Sequence, residues 1–156
     1  MNRRQFFKSS LVIGGSLAGV GTGAILFTES ANRLDLKIST ALQRLALLSN
    51  KNLVKTGEWD IYKIFMHCAQ SVEYSMSEFP EHKSNFFKHT IGKLAFSIFE
   101  SKGKMTHGLS ESIPGSPLIK SSLDTKAALN HLKNSLIDFE NYKGKLAPHF
   151  AYGELT

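Results

Sequence analysis

Four stretches of the chain carry apolar residues at the three-and-four spacing of a helix face. From Ala31 to Ser49 these are Leu34, Ile38, Ala41, Leu42, Leu45 and Leu48. A polar break from Asn50 to Gly57 follows. The second stretch, Glu58 to Phe79, carries Ile61, Phe65, Cys68, Val72, Met76 and Phe79, with Ile64 and Ala69 beside them, and Pro80 stops it. The third, about Ser84 to Lys102, puts Phe87, Ile91, Leu94 and Ile98 on one face with Phe86 and Phe99 flanking. Gly103 comes next and suits the left-handed residue that ends helices. The fourth, about Asp124 to Tyr142, has Ser122 or Asp124 as its N-cap. Its face is Ala128, Leu129, Leu132, Leu136 and Phe139, and Gly144 follows as a stop.

Gly103 to Ser121 separates the last two helices and holds three glycines and two prolines in 19 residues. A loop of that length is usually functional or disordered; Met105, His107, Leu109, Ile113 and Leu118 give this one apolar anchors, which favours an ordered loop packed on the bundle. The tail from Leu146 to Thr156 is rich in residues of ordered structure, and Thr156 would cap a helix. The chain contains no internal repeat, low-complexity tract or Gly-rich phosphate loop.

The first thirty residues change the picture. Arg3 and Arg4, followed by Phe6, Phe7 and Lys8, precede a weakly apolar, Gly-rich run to Phe27. A charged start and an apolar middle make a signal peptide. The paired arginines resemble a twin-arginine signal, which implies the twin-arginine export machinery as a partner. The destination is then periplasmic or exported. Leu11 to Phe27 is 17 residues, at the short end of a bilayer span, so an uncleaved helix anchoring the chain in the inner membrane stays open. Residues 1–30 are read as signal or anchor and 31–156 as one helical domain.

Of the net charge of +6, Arg3, Arg4 and Lys8 against Glu29 account for +2, leaving +4 for the domain. Bases and acids are interleaved there, which points away from nucleic acid. Cys68 is the one cysteine, so no internal disulfide and no CxxC site exists. Its place in the apolar stripe makes it a small buried hydrophobe. His67 shares a row with Asp60, Lys63, Gln70, Ser71, Tyr74 and Glu78, about 120° from the stripe's centre, which makes it a boundary residue. His82 and His89 adjoin lysines and face solvent, His131 is structural, and His107 is a further histidine to watch. No nucleophile elbow or catalytic triad motif is present.

One stretch carries a resemblance. Trp59 and the run His67-Cys68-Ala69-Gln70-Ser71-Val72-Glu73-Tyr74-Ser75-Met76 resemble the H-x-A-Q-S-I-E-Y-S motif of domain-of-unknown-function family 1569, in the DinB/YfiT-like superfamily. Further matches are Phe79-Pro80 with Lys83, Gly92-Lys93-Leu94-Ala95-Phe96, Gly103-Lys104-Met105-Thr106-His107, Ile113-Pro114-Gly115-Ser116-Pro117 and Pro148-His149-Phe150-Ala151-Tyr152-Gly153. The resemblance implies an all-α, antiparallel DinB-like bundle, commonly with one divalent metal, zinc or nickel, held by three histidines. His67 matches the first ligand. The other two belong to an H-x-x-x-H pair on a helix after the H-F-A-Y-G segment, and no such pair exists here. One imidazole does not hold zinc or nickel against water.

Three readings follow. The chain is an exported DinB-like domain with an incomplete metal site, of hydrolase or thiol-transferase type, whose last family helix is missing. Alternatively it is a non-catalytic exported or anchored helical protein that pairs with a partner or a second copy through the open bundle face. The third reading is a truncated fragment without function.

Overall fold

The computed structural model describes residues 37–102 and 110–155, and among them the chain is all-α. Helix α1 is Ile38–Leu48 and α2 is Ile61–Met76. Helix α3 covers residues 85–102 in three pieces: a first turn Asn85–Phe87, a π-helical turn Lys88–Gly92 and an α-helical part Lys93–Lys102. Helix α4 is Thr125–Asn141. No strand occurs among the described residues; His149 and Gly153 form an isolated antiparallel bridge. The expected signal, with Arg3, Arg4, Phe6, Phe7 and Lys8, lies outside the described residues, as do Leu34, His107 and Thr156. No helix among the described residues is long and apolar enough to cross a membrane.

Side-chain caps start the helices. The Asp60 carboxylate accepts from Lys63 N at 2.8 Å and opens α2. Its pKa is lowered by a hydrogen bond from Ser121, then by that Lys63 backbone bond. Asp124 accepts from Ala127 N at 2.9 Å and opens α4, and Ser84 accepts from Phe87 N at 3.2 Å and opens α3. Each satisfies one of the N–H groups that a first helical turn leaves without a partner.

The core is the seam between α2 and α4. Phe65 and Ala69 pack on Ala128, Leu129 and Leu132, and Leu45 and Leu48 of α1 close over them. Ala69 and Ala128, almost wholly buried in this cluster, are small enough to let the two helices pack closely. Truncating one leucine of the cluster costs about 2–5 kcal/mol. A polar clasp crosses the same seam. Buried Ser135 holds its hydroxyl 2.7 Å from Glu73 Oε1, which also lies 2.7 Å from His131 Nε2.

Helix α3 departs from the expected face. Ile91 and Leu94 are 57% and 65% exposed, whereas Gly92 and Phe99 are buried and Ala95 is half-buried. The π-helical turn explains the shift. Its i→i+5 bonding inserts one extra residue, so every position after it advances by one. The expected row 91, 94, 98 becomes 92, 95, 99. Two smaller corrections concern Cys68 and Leu118. Cys68 is exposed, because Phe65 and Ala69 take the inward positions on α2. Desolvation still raises its thiol pKa; the exposed area governs reach, and the desolvation keeps the thiol protonated. Ile113 anchors the described part of the loop at 3% exposure, while Leu118 is 81% exposed.

Candidate functional site

Most of the α2 motif turns out to hold helices together. Beyond the Glu73 clasp, Ser75 O accepts from Ala147 N at 2.8 Å and Met76 O accepts from the Tyr142 hydroxyl at 2.8 Å. The Tyr74 ring packs on buried Phe79, centroids 5.8 Å apart. Gln70 Nε2 reaches toward Pro117 O at 3.5 Å. One turn earlier His67 is half-buried, its ring edge-on to Trp59 at 5.0 Å. It lies at the boundary where its spacing on the helix puts it.

The segment after α4 folds back to meet it. His149 exchanges two backbone hydrogen bonds with Gly153, at 2.8 and 3.0 Å, around a tight turn. Gly153 sits at φ +77°, where a side chain would be strained. Phe150 O accepts from Lys83 N at 2.9 Å, which pins the turn to the segment between α2 and α3. Over Gly92 the Ala151 carbonyl comes so close that an added Cβ would overlap it. Tyr152 then wedges against Phe96 and Phe99, centroids 6.0 and 6.2 Å away. Through this turn, α3 is fastened to the rest of the domain.

His149 is the centre of that turn. Its Nδ1 accepts from Ala151 N at 3.1 Å and from Tyr152 N at 3.3 Å. Its ring stacks on Tyr152 at 4.5 Å and 7°, with Phe150 and Phe79 at 4.4 and 5.2 Å. Burial, and then the nearby His82, lower its pKa to about 4, so the imidazole is neutral at pH 7. With Nδ1 accepting, the proton sits on Nε2. Burial raises the pKa of Tyr152 beside it.

His67 and His149 wall the same cavity, of about 310 Å³. Lys83, Ser71, Ser112, Glu111 and Tyr152 complete its polar lining. His149 entered the sequence reading only as part of a motif. The available signal was that two quoted motifs, far apart in the chain, each begin at or next to a histidine. Residues 30–156 match the family described as "Protein of unknown function (DUF1569)". The chain belongs to this family. The DUF1569 match covers both histidines and every other residue of the cavity wall. No curated protein and no solved structure matches the chain.

The donors that the described residues of this DUF1569 domain bring together do not fit a tightly held zinc or nickel ion. Such ions take three or four protein ligands, and no group of three or more His, Cys, Asp or Glu side chains able to hold a metal exists among the described residues. In the tautomer set by its two backbone donors, His149 offers Nε2 as a donor and not as a lone pair.

Proposed function

We propose that this DUF1569 chain is an exported helical-bundle protein of DinB-like type that binds a small molecule between α2 and the C-terminal turn. The observation that carries the reading is the meeting of His67 and His149, 82 positions apart, on one cavity. Pockets that bind ligands are of this size and combine apolar walls with a few convergent polar groups. Here the polar groups are mostly donors: Lys83, the two serine hydroxyls and the His149 Nε2–H, with Glu111 as an acceptor. The hydrogen bonds of the C-terminal turn fix the His149 ring before any ligand arrives, which lowers the ordering cost of binding.

A fragment screen by ligand-observed NMR tests this. Hits are expected to lose affinity in both His67→Ala and His149→Ala, with circular dichroism unchanged in the former. Hits indifferent to both substitutions would refute the pocket. Zinc added and dialysed away is expected to leave well under one ion per chain by elemental analysis. Export through the twin-arginine machinery predicts that Arg3→Lys with Arg4→Lys abolishes translocation; retained export would end that part of the reading.

A second reading, an interaction protein or homodimer, is favoured by the outer face of α3, where Phe86 is 77%, Ile91 57% and Leu94 65% exposed. Light scattering separates the two: a stable monomer at high concentration rules out the homodimer.

A further inference from the structure

A second cavity, of about 390 Å³, is walled by α1, α2, α4 and the segment after α4. Its wall is apolar: Ile38 of α1, Val72 and Phe79, Leu136 and Phe139 of α4, and Leu146. Ser71 and His149 line both cavities, so the two adjoin across these side chains. Of the polar groups at the second cavity, Ser75 and Glu154 already have partners. Ser75 Oγ donates to Val72 O at 2.6 Å, and Glu154 faces Lys145 Nζ at 3.4 Å. A largely apolar wall of this kind favours the apolar part of a ligand over water. The first cavity is the more polar: Lys83, Ser71, Ser112 and His149 can donate there, and the Glu111 carboxylate stands beside them as an acceptor. A compartment with several donors beside a largely apolar one matches a molecule with an anionic head and a hydrocarbon tail.

We propose that the ligand of this domain is a long-chain carboxylate, its alkyl chain between α2 and α4 in the apolar cavity and its carboxylate toward Lys83. This rests on reading the His67 cavity as a ligand site and adds the class of ligand. Lys83 is exposed and adjoins the backbone bond to Phe150 O, so its ammonium is free to meet a head group while its N–H anchors the turn. Ser71, on α2, stands where the two cavities meet.

Calorimetric titration with dodecanoate, kept below its micelle concentration, tests the proposal, with acetate and dodecyltrimethylammonium as comparison ligands. Dodecanoate is expected to bind saturably with one molecule per chain, and acetate not measurably. The cationic homologue is expected to bind more weakly than dodecanoate. Val72→Trp, which fills the tail cavity, should abolish binding, and Leu136→Phe, a milder filling, should reduce it. Lys83→Glu should weaken dodecanoate about tenfold while leaving a neutral dodecanol probe unchanged. Absence of dodecanoate binding, equal binding of the cation, or full binding by a folded Val72→Trp or Leu136→Phe chain overturns the proposal. The same outcomes leave the smaller reading standing if fragments of other chemistry still depend on His67. Loss of that dependence removes the pocket itself.

Discussion

Acid is expected to unfasten the C-terminal turn through one imidazole. In the folded chain His149 accepts two backbone N–H groups on Nδ1, and its pKa falls from 6.5 to about 4. Burial is the larger cause, because it disfavours the charged ring, and the facing His82 adds to it. Above the unfolded value both states are neutral and the contribution to stability is intact. As pH drops below 6.5 only the unfolded chain gains the proton, so stability declines until the folded ring titrates near 4. At about 1.4 kcal/mol per pH unit the displacement amounts to about 3 kcal/mol, and to about 2 kcal/mol once the solvent that still reaches the ring is allowed for. Urea denaturation of wild type and His149→Asn at about pH 7.5 and about pH 4.5 isolates the effect. The asparagine oxygen replaces Nδ1 as acceptor but has no proton to gain. Carboxylates titrate in both proteins and cancel in the comparison. Wild type should lose about 2 kcal/mol more than the variant between the two conditions. Equal losses would show that His149 is not held neutral by its surroundings.

Other substitutions probe the frame. Gly92→Ala should cost about 1–3 kcal/mol, because its methyl meets the Ala151 carbonyl. Gly57→Ala, with open space around it, should cost little, and thermal denaturation of the two compares them. Glu73→Ala should cost about 0.5–1.5 kcal/mol, because the buried Ser135 hydroxyl loses its carboxylate but keeps the His131 carbonyl, 3.0 Å away, as an acceptor. The double change with Ser135→Ala should recover part of that loss in a double-mutant cycle. Leu132→Ala, at the α2–α4 seam, should lower the denaturation midpoint by an amount equivalent to about 2–5 kcal/mol.

The helices and the faces of α2 and α4 were legible because periodicity reports the face that a regular helix buries, whereas the pairing of those two faces was not. Phe65, Ala69, Leu129 and Leu132 stand where a 3.6-residue repeat puts them. The same reasoning missed α3, since a π-helical turn changes the repeat partway and nothing in Lys88-His89-Thr90-Ile91-Gly92 announces it. Gly92 was the one clue, quoted within a motif, and its reason is a carbonyl from a segment about sixty positions away. His67 was visible as a boundary residue. His149 was not, because its role depends on a tight turn and on rings from three separate elements, which no local spacing encodes. The α2 motif illustrates the converse: Glu73, Ser75 and Met76 look like a site and act as fasteners.

The central claim is that His67 and His149 face a single ligand cavity. Imidazole-detected NMR of ¹⁵N-histidine-labelled protein, titrated with dodecanoate, tests it most directly. The account predicts that both rings shift together along one saturation curve, with His149 remaining a neutral Nε2–H tautomer throughout, while solvent-facing His89 stays still. Shifts confined to one of the two histidines, or spread equally over His89, would contradict it.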